Sequence, residues 1–218
     1  MGCCLTLTAM NANPAQMDLR PVGYVIGLLV AVLGVAMLIP LLVDLAEGQG
    51  QWPVFLQSAV ITLMGGIAIA LACASGVRDG LTIQQTFLLT SSVWVALPLF
   101  GAIPFVFGET DARAVDAVFE AMSGLTTTGA TVFTGLDELP KGLLIWRAIL
   151  QWLGGIGIIV VAMVFLPELR VGGMQIFKSE GFDTFGKILP RAGQIATQIS
   201  RLYVAFTLIC ALVYIMLG

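Results

Sequence analysis

The chain alternates long apolar stretches with short polar breaks. One apolar stretch runs from Val22 to Val43 and a second from Pro53 to Ala74, with the polar, glycine-bearing "DLAEGQGQ" between them. Each matches the ~20 residues that cross a hydrocarbon layer, so the pair predicts a membrane hairpin. A third stretch covers Thr86 to Phe107. Pro98 and Pro104 predict an irregular outer half there, because proline lacks an N–H and crowds the preceding turn. The stretches are mostly apolar all round, unlike helices of a soluble core, which keep a polar face.

After Phe107 the pattern changes. Residues 114–125, "AVDAVFEAMSGL", are amphipathic at helical spacing. A helix of that length reaches only about 18 Å, half a bilayer. "TTTGATVFTGLDELPKG" follows, and then a full apolar span from Leu143 to Leu166. The chain therefore enters and returns on one side, which predicts a re-entrant segment; such backbone survives at membrane depth only when buried in protein or lining a watery path. Beyond Pro167 comes the longest polar stretch, and a last apolar run covers Leu202 to Leu217.

Composition agrees with an all-α integral membrane protein: 58% of residues are hydrophobic and 11% charged. Histidine is absent, and Cys3, Cys4, Cys73 and Cys210 form no CxxC pair or metal-ligating cluster. No span carries a convergent acid, base and nucleophile, so the chain does not read as an enzyme. Arg20, Arg78, Arg170, Lys178, Lys187, Arg191 and Arg201 fall on one side of the alternating topology, against Arg113, Lys141 and Arg147 on the other. That asymmetry places the N terminus and the 168–201 loop in the cytoplasm of a multi-pass protein of the plasma membrane. Asp44, Glu47, Glu109, Asp111, Asp116, Glu120, Asp137 and Glu138 make the outer face acidic and attractive to cations. The opening "MGCCLTLT" formally fits a lipidation pattern at Gly2, yet reads better as an extended start ahead of Met10 or Met17. No basic region precedes it, so it is no signal peptide.

The stretch "GLTTTGATVF", residues 124–133, is the candidate for function. A half-membrane helix ending near Gly124 and Leu125 is expected to point unpaired carbonyls and a negative dipole inward, which suits a cation. An extended segment after it offers successive main-chain carbonyls, stiffened by β-branched threonines. Gly129 supplies a residue free to take a positive φ, so that neighbouring carbonyls turn to one axis. A polar turn between helices is the plainer alternative. Gly154, Gly155 and Gly157 in "GGIG" lack both the GxGxxG spacing and a preceding strand, and predict close helix packing instead of a nucleotide site.

"DAVFEAMSGLTTTGATVFTGLDELP", "WRAILQWLGGIGIIVVAMVFLP" and "VGGMQIFKSE" together resemble the TrkH-like membrane subunit of the Trk/Ktr/HKT potassium transporter superfamily, from about residue 20 onward. The resemblance implies an N-terminal cytoplasmic segment (1–20), a transmembrane hairpin (21–80) and a potassium-channel-like pore unit (81–170). That unit would comprise an outer helix, a pore helix (114–125), a filter (126–131) and an inner helix (143–167). A cytoplasmic loop (171–200) and the outer helix of an incomplete second unit (201–218) follow. It further implies main-chain ion ligands at Thr127, Thr128, Gly129 and Ala130, flanked by Thr126 and Thr131, with K⁺ as transported ion and no cofactor. The site would sit in a bacterial inner membrane, in a homodimer bound to a TrkA-type nucleotide-binding regulatory subunit. Such proteins resemble four pore units in one chain, whereas one filter segment is present here. The chain is therefore expected to be the N-terminal part of a longer transporter, or a truncated, non-conducting subunit associated with full-length ones.

Overall fold

The structure, a computed structural model, describes residues 18–48, 50–76, 81–108, 110, 112–136, 139–168 and 188–217, and every regular element among them is helical. In chain order these are α1 (Arg20–Ala36), α2 (Leu38–Ala46), α3 (Trp52–Cys73), α4 (Ile83–Gly101), α5 (Ile103–Phe107), α6 (Ala114–Leu125), α7 (Lys141–Glu168) and α8 (Ile188–Leu217). Four stretches among the described residues are long and apolar enough to cross a membrane: Arg20–Ala46, Trp52–Cys73, Gln84–Phe107 and Thr197–Leu217. The 28 residues of α7 contain the whole expected inner helix. Residues 1–17 of the N-terminal segment and 171–187 of the expected cytoplasmic loop lie outside the described residues, as do Arg78, Arg170, Lys178, Lys187, Glu109, Asp111, Asp137 and Glu138. From Ile188 onward the stretch expected as loop is already helix.

Proline divides two of the spans. Pro40 cannot donate to the carbonyl of Ala36, so α1 stops there, α2 restarts at Leu38, and the bond from Leu41 N to the Met37 carbonyl is long at 3.4 Å. In the third span Pro98 is carried inside α4, and the break falls at Ala102, just ahead of Pro104 in the first turn of α5. There Phe105 N turns to the Ala102 carbonyl at 3.0 Å and abandons that of Gly101. The indole N–H of the fully buried Trp146 donates to the Gly101 carbonyl instead, at 2.9 Å. A buried carbonyl stripped of its donor costs ~1–3 kcal/mol, so Trp146→Phe is expected to lower stability by about that amount. Thermal unfolding in detergent measures this; an unchanged midpoint would mean the bond contributes nothing.

The hairpin of α1 and α3 packs backbone to backbone. A Cβ on Gly27 would lie 2.7 Å from the Gly66 carbonyl oxygen, an approach open only to small residues. At one end of the bundle Arg20 Nη1 meets Ser75 Oγ at 3.4 Å, and Gln85 Nε2 donates to the Asp18 carbonyl at 2.7 Å. At the opposite end Lys141 Nζ pairs with Glu47 at 2.6 Å. Since α4 starts at the first end and runs to the second, the segment between α5 and α7 leaves and returns at the same end. The buried core joins both halves, with Leu33, Met37 and Phe55 of the hairpin against Ala117, Ala121, Trp146 and Leu150. Small residues on α6 let it sit this close.

Candidate ion site at the end of a half-length helix

The helix α6 coincides with the 114–125 segment expected from the sequence. Its last turn closes in a Schellman motif: Thr127 N donates to the Gly124 carbonyl at 2.9 Å, and Thr128 N to that of Ser123 at 3.0 Å. Thr126 adds its amide and its hydroxyl to the Met122 carbonyl, each at 2.8 Å. The expected row of unpaired helix-end carbonyls is thus largely capped by the next three residues. The Leu125 carbonyl instead packs on α7, where a Cβ at Gly154 would overlap its oxygen and lie 2.7 Å from its carbonyl carbon.

The motif needs a left-handed residue after the cap, and here it is Thr127, with φ 57°, the one non-glycine residue with positive φ among the described residues. A β-branched residue there is strained by about 1–2 kcal/mol. Gly129 also takes positive φ, 75°, with open space where a Cβ would project. An ordinary extended strand points successive carbonyls to alternate sides. Reversed φ at Thr127 and again at Gly129, with Thr128 between them unreversed, departs from that regular alternation. Among the described residues no donor reaches the carbonyls of Thr127, Thr128 or Gly129. Residues Thr127 to Thr131 are exposed on the surface of the chain, while Thr126 is half-buried.

Two side chains of α6 hold the returning segment. Ser123 Oγ donates to the Ala130 carbonyl at 2.6 Å, which turns that oxygen toward the helix and apart from the three free ones. One turn earlier, Glu120 accepts from the Thr131 hydroxyl, from Val132 N at 2.7 Å and from Phe133 N at 3.4 Å. Its other oxygen accepts from Arg147 Nε of α7 at 3.0 Å. As the loop advances from residue 130 to 133 its contacts step back from Ser123 to Glu120, so it runs antiparallel to α6. The Thr126 and Thr128 hydroxyls bond each other at 2.8 Å, which ties both side chains to the helix end.

The sequence named both Thr127 and Gly129 as ligands but foresaw a positive φ only at Gly129, since the residue type of Thr127 argues against a left-handed conformation. It counted Asp116 and Glu120 alike among the acids of the outer face, and the structure separates them. Asp116 is bound to Arg113 at 2.9 Å, which holds its carboxyl below the usual range by hydrogen bonding, whereas Glu120 is buried and clamps the loop. Of the "GGIG" glycines, Gly154 packs on Leu125 and Gly155 on Tyr203 of α8, while Gly157 has no such neighbour among the described residues. Among the described residues no cluster of His, Cys, Asp and Glu could hold a metal.

Membrane-length helices gathered around a half-length helix and its returning loop define a multi-pass, all-helical membrane protein. Comparison with known families is specific: the model of the TrkH cation transport protein family matches residues 53–217. The chain belongs to that family. It is 39% identical over 205 residues to the Trk system potassium uptake protein TrkH of Halomonas elongata, covering 93% of this chain and 42% of that relative. It is 40% identical over 200 residues to TrkH of Escherichia coli K12, covering 90% and 41%. The crystal structure of the potassium transporter TrkH from Vibrio parahaemolyticus superposes with a TM-score of 0.77 at 35% identity, over 93% of this chain and 40% of that one. The chain thus spans about two fifths of the length of the relatives it matches.

Proposed function

We propose that this chain forms the N-terminal hairpin and first pore unit of a potassium uptake transporter, in which α6 is a re-entrant pore helix and residues 126–131 a quarter of the selectivity filter. The observations that carry the reading are the reversed φ angles at Thr127 and Gly129 and three neighbouring exposed carbonyls that no donor reaches among the described residues. Such oxygens replace the hydration shell of a cation with no side-chain charge at the site. The Ala130 carbonyl accepts from Ser123 but keeps a second lone pair, so it stays available as a ligand beside those of Thr127, Thr128 and Gly129. The relatives that it resembles are named as potassium uptake proteins, which supports K⁺ as the ion carried. In the complete protein the remaining pore units close the filter ring. The assembled transporter is a homodimer in the bacterial inner membrane, its N terminus cytoplasmic, with a TrkA-type regulatory subunit on the inner side.

The test compares Gly129→Ser and Thr127→Val in a full-length transporter containing this unit. Among the described residues a Cβ at Gly129 meets no neighbour, so the protein is expected to fold and insert, while the φ of 75° disfavours it by about 1 kcal/mol and turns a carbonyl away. Valine at 127 keeps the shape, the backbone and the carbonyl. K⁺ against Na⁺ uptake at matched membrane abundance is therefore expected to change for Gly129→Ser much more than for Thr127→Val. An unchanged ratio in Gly129→Ser would remove these residues from the filter.

A further inference from the structure

One buried carboxylate is left over by the ion site. Asp44, in the last turn of α2, is fully buried, and its Oδ1 accepts from the Gly142 amide of α7 at 2.9 Å. Its Oδ2 finds no donor among the described residues. The first N–H groups of a helix have no partner within it, and its N-terminal dipole favours an anion, so Asp44 caps α7 from 98 residues away. Glycine at 142 makes the approach possible, since a Cβ there would lie 2.6 Å from the Asp44 carboxyl carbon. The neighbouring Lys141–Glu47 pair is largely exposed and contributes little by comparison.

We infer that Asp44 is a positioning residue for the ion path: the hairpin fixes the start of α7 through it, and α7 in turn fixes the filter. The inference rests on the filter reading above. About 7.5 Å along the same helix from Gly142, Arg147 holds Glu120 and through it residues 131–133. About 18 Å along, Gly154 seats the Leu125 carbonyl beneath the first filter residue. A rigid helix released at its first turn tilts or slides as one body, and both supports move with it. The hairpin is thereby more than a membrane anchor, because its one fully buried charge among the described spans sets the height of the inner helix.

The experiment uses a full-length transporter carrying Asp44→Ala, Asp44→Ser, Asp44→Asn or Glu47→Gln, with two readouts: K⁺ KM and K⁺/Na⁺ preference in cells, and amide hydrogen exchange in the purified protein. Asp44→Ala is expected to speed exchange across residues 142–145 about fivefold, the effect of a lost helix cap, and to raise the KM for K⁺ or lower the ion preference more than it lowers maximal rate. Asp44→Ser is small and polar but too short to reach Gly142, and substitutes for alanine if that variant does not fold. Asp44→Asn keeps an acceptor oxygen at the same reach and is expected to stay within about twofold of wild type in both readouts. Glu47→Gln is expected to match wild type. The inference is overturned if the alanine and serine variants match wild type, or if asparagine fails as they do, since charge and not capping would then be what matters. A wild type that takes up no K⁺ overturns the ion-path reading and this inference with it, and exchange alone still reports whether Asp44 caps α7.

Discussion

Gly154→Ala in a full-length transporter is expected to abolish uptake per inserted molecule, although it adds a single methyl group. That methyl would overlap the Leu125 carbonyl oxygen and stand 2.9 Å from the Leu125 Cα. Main-chain atoms cannot swing aside as a side chain can, so either α7 backs away or the end of α6 is pushed. Overpacking of this kind costs ~1–3 kcal/mol in stability. The functional loss is larger than the stability loss, because Leu125 directly precedes the 126–131 loop. Gly157→Ala, three residues on, meets nothing within 4 Å among the described residues and is the matched control. Cation uptake normalised to membrane abundance decides the matter: equal activity in the two variants would show that the Leu125 contact does not support the loop.

The second large effect concerns the Glu120–Arg147 pair. Removing one member of a buried ion pair typically costs 3–5 kcal/mol, about what Arg147→Met is expected to cost, since it leaves a fully buried carboxylate without its counter-charge. Glu120→Gln is expected to cost less, because the Arg147 side chain is 21% exposed and water can reach it. The double variant is expected to recover part of the loss, as both charges leave together. Unfolding of the purified variants in detergent with denaturant gives the cycle. If the single losses simply add, the two side chains do not act as a pair.

What the sequence revealed is what local physics determines. Hydrophobic run lengths predicted the membrane-length stretches, and the short amphipathic run predicted α6 to the residue. Proline placed irregularity in the third span, and the break came at Ala102, just ahead of Pro104, while Pro98 is carried inside the helix and Trp146 takes the Gly101 carbonyl. No local pattern signals such a partner 45 residues away. Asp44 with Gly142, and Glu120 with Arg147, were illegible for the same reason: each is an ordinary acid, amide or base until the fold brings its partner near. Thr127 was hidden differently. Residue preference argues against a left-handed threonine, and only the two hydrogen bonds of the helix end make that conformation the favourable one.

The double employment of Thr126 to Thr128 also governs where this protein can change length. These residues terminate a helix and begin the candidate filter at once, so one added residue there would shift the loop against both of its anchors, Ser123 and Glu120. The connection after Phe133, which turns at Gly135 with φ 69°, carries no such duty. Insertions that diversify this unit belong after Phe133, whereas the spacing from Glu120 to Val132 is fixed as firmly as a word whose letters are shared with a crossing word.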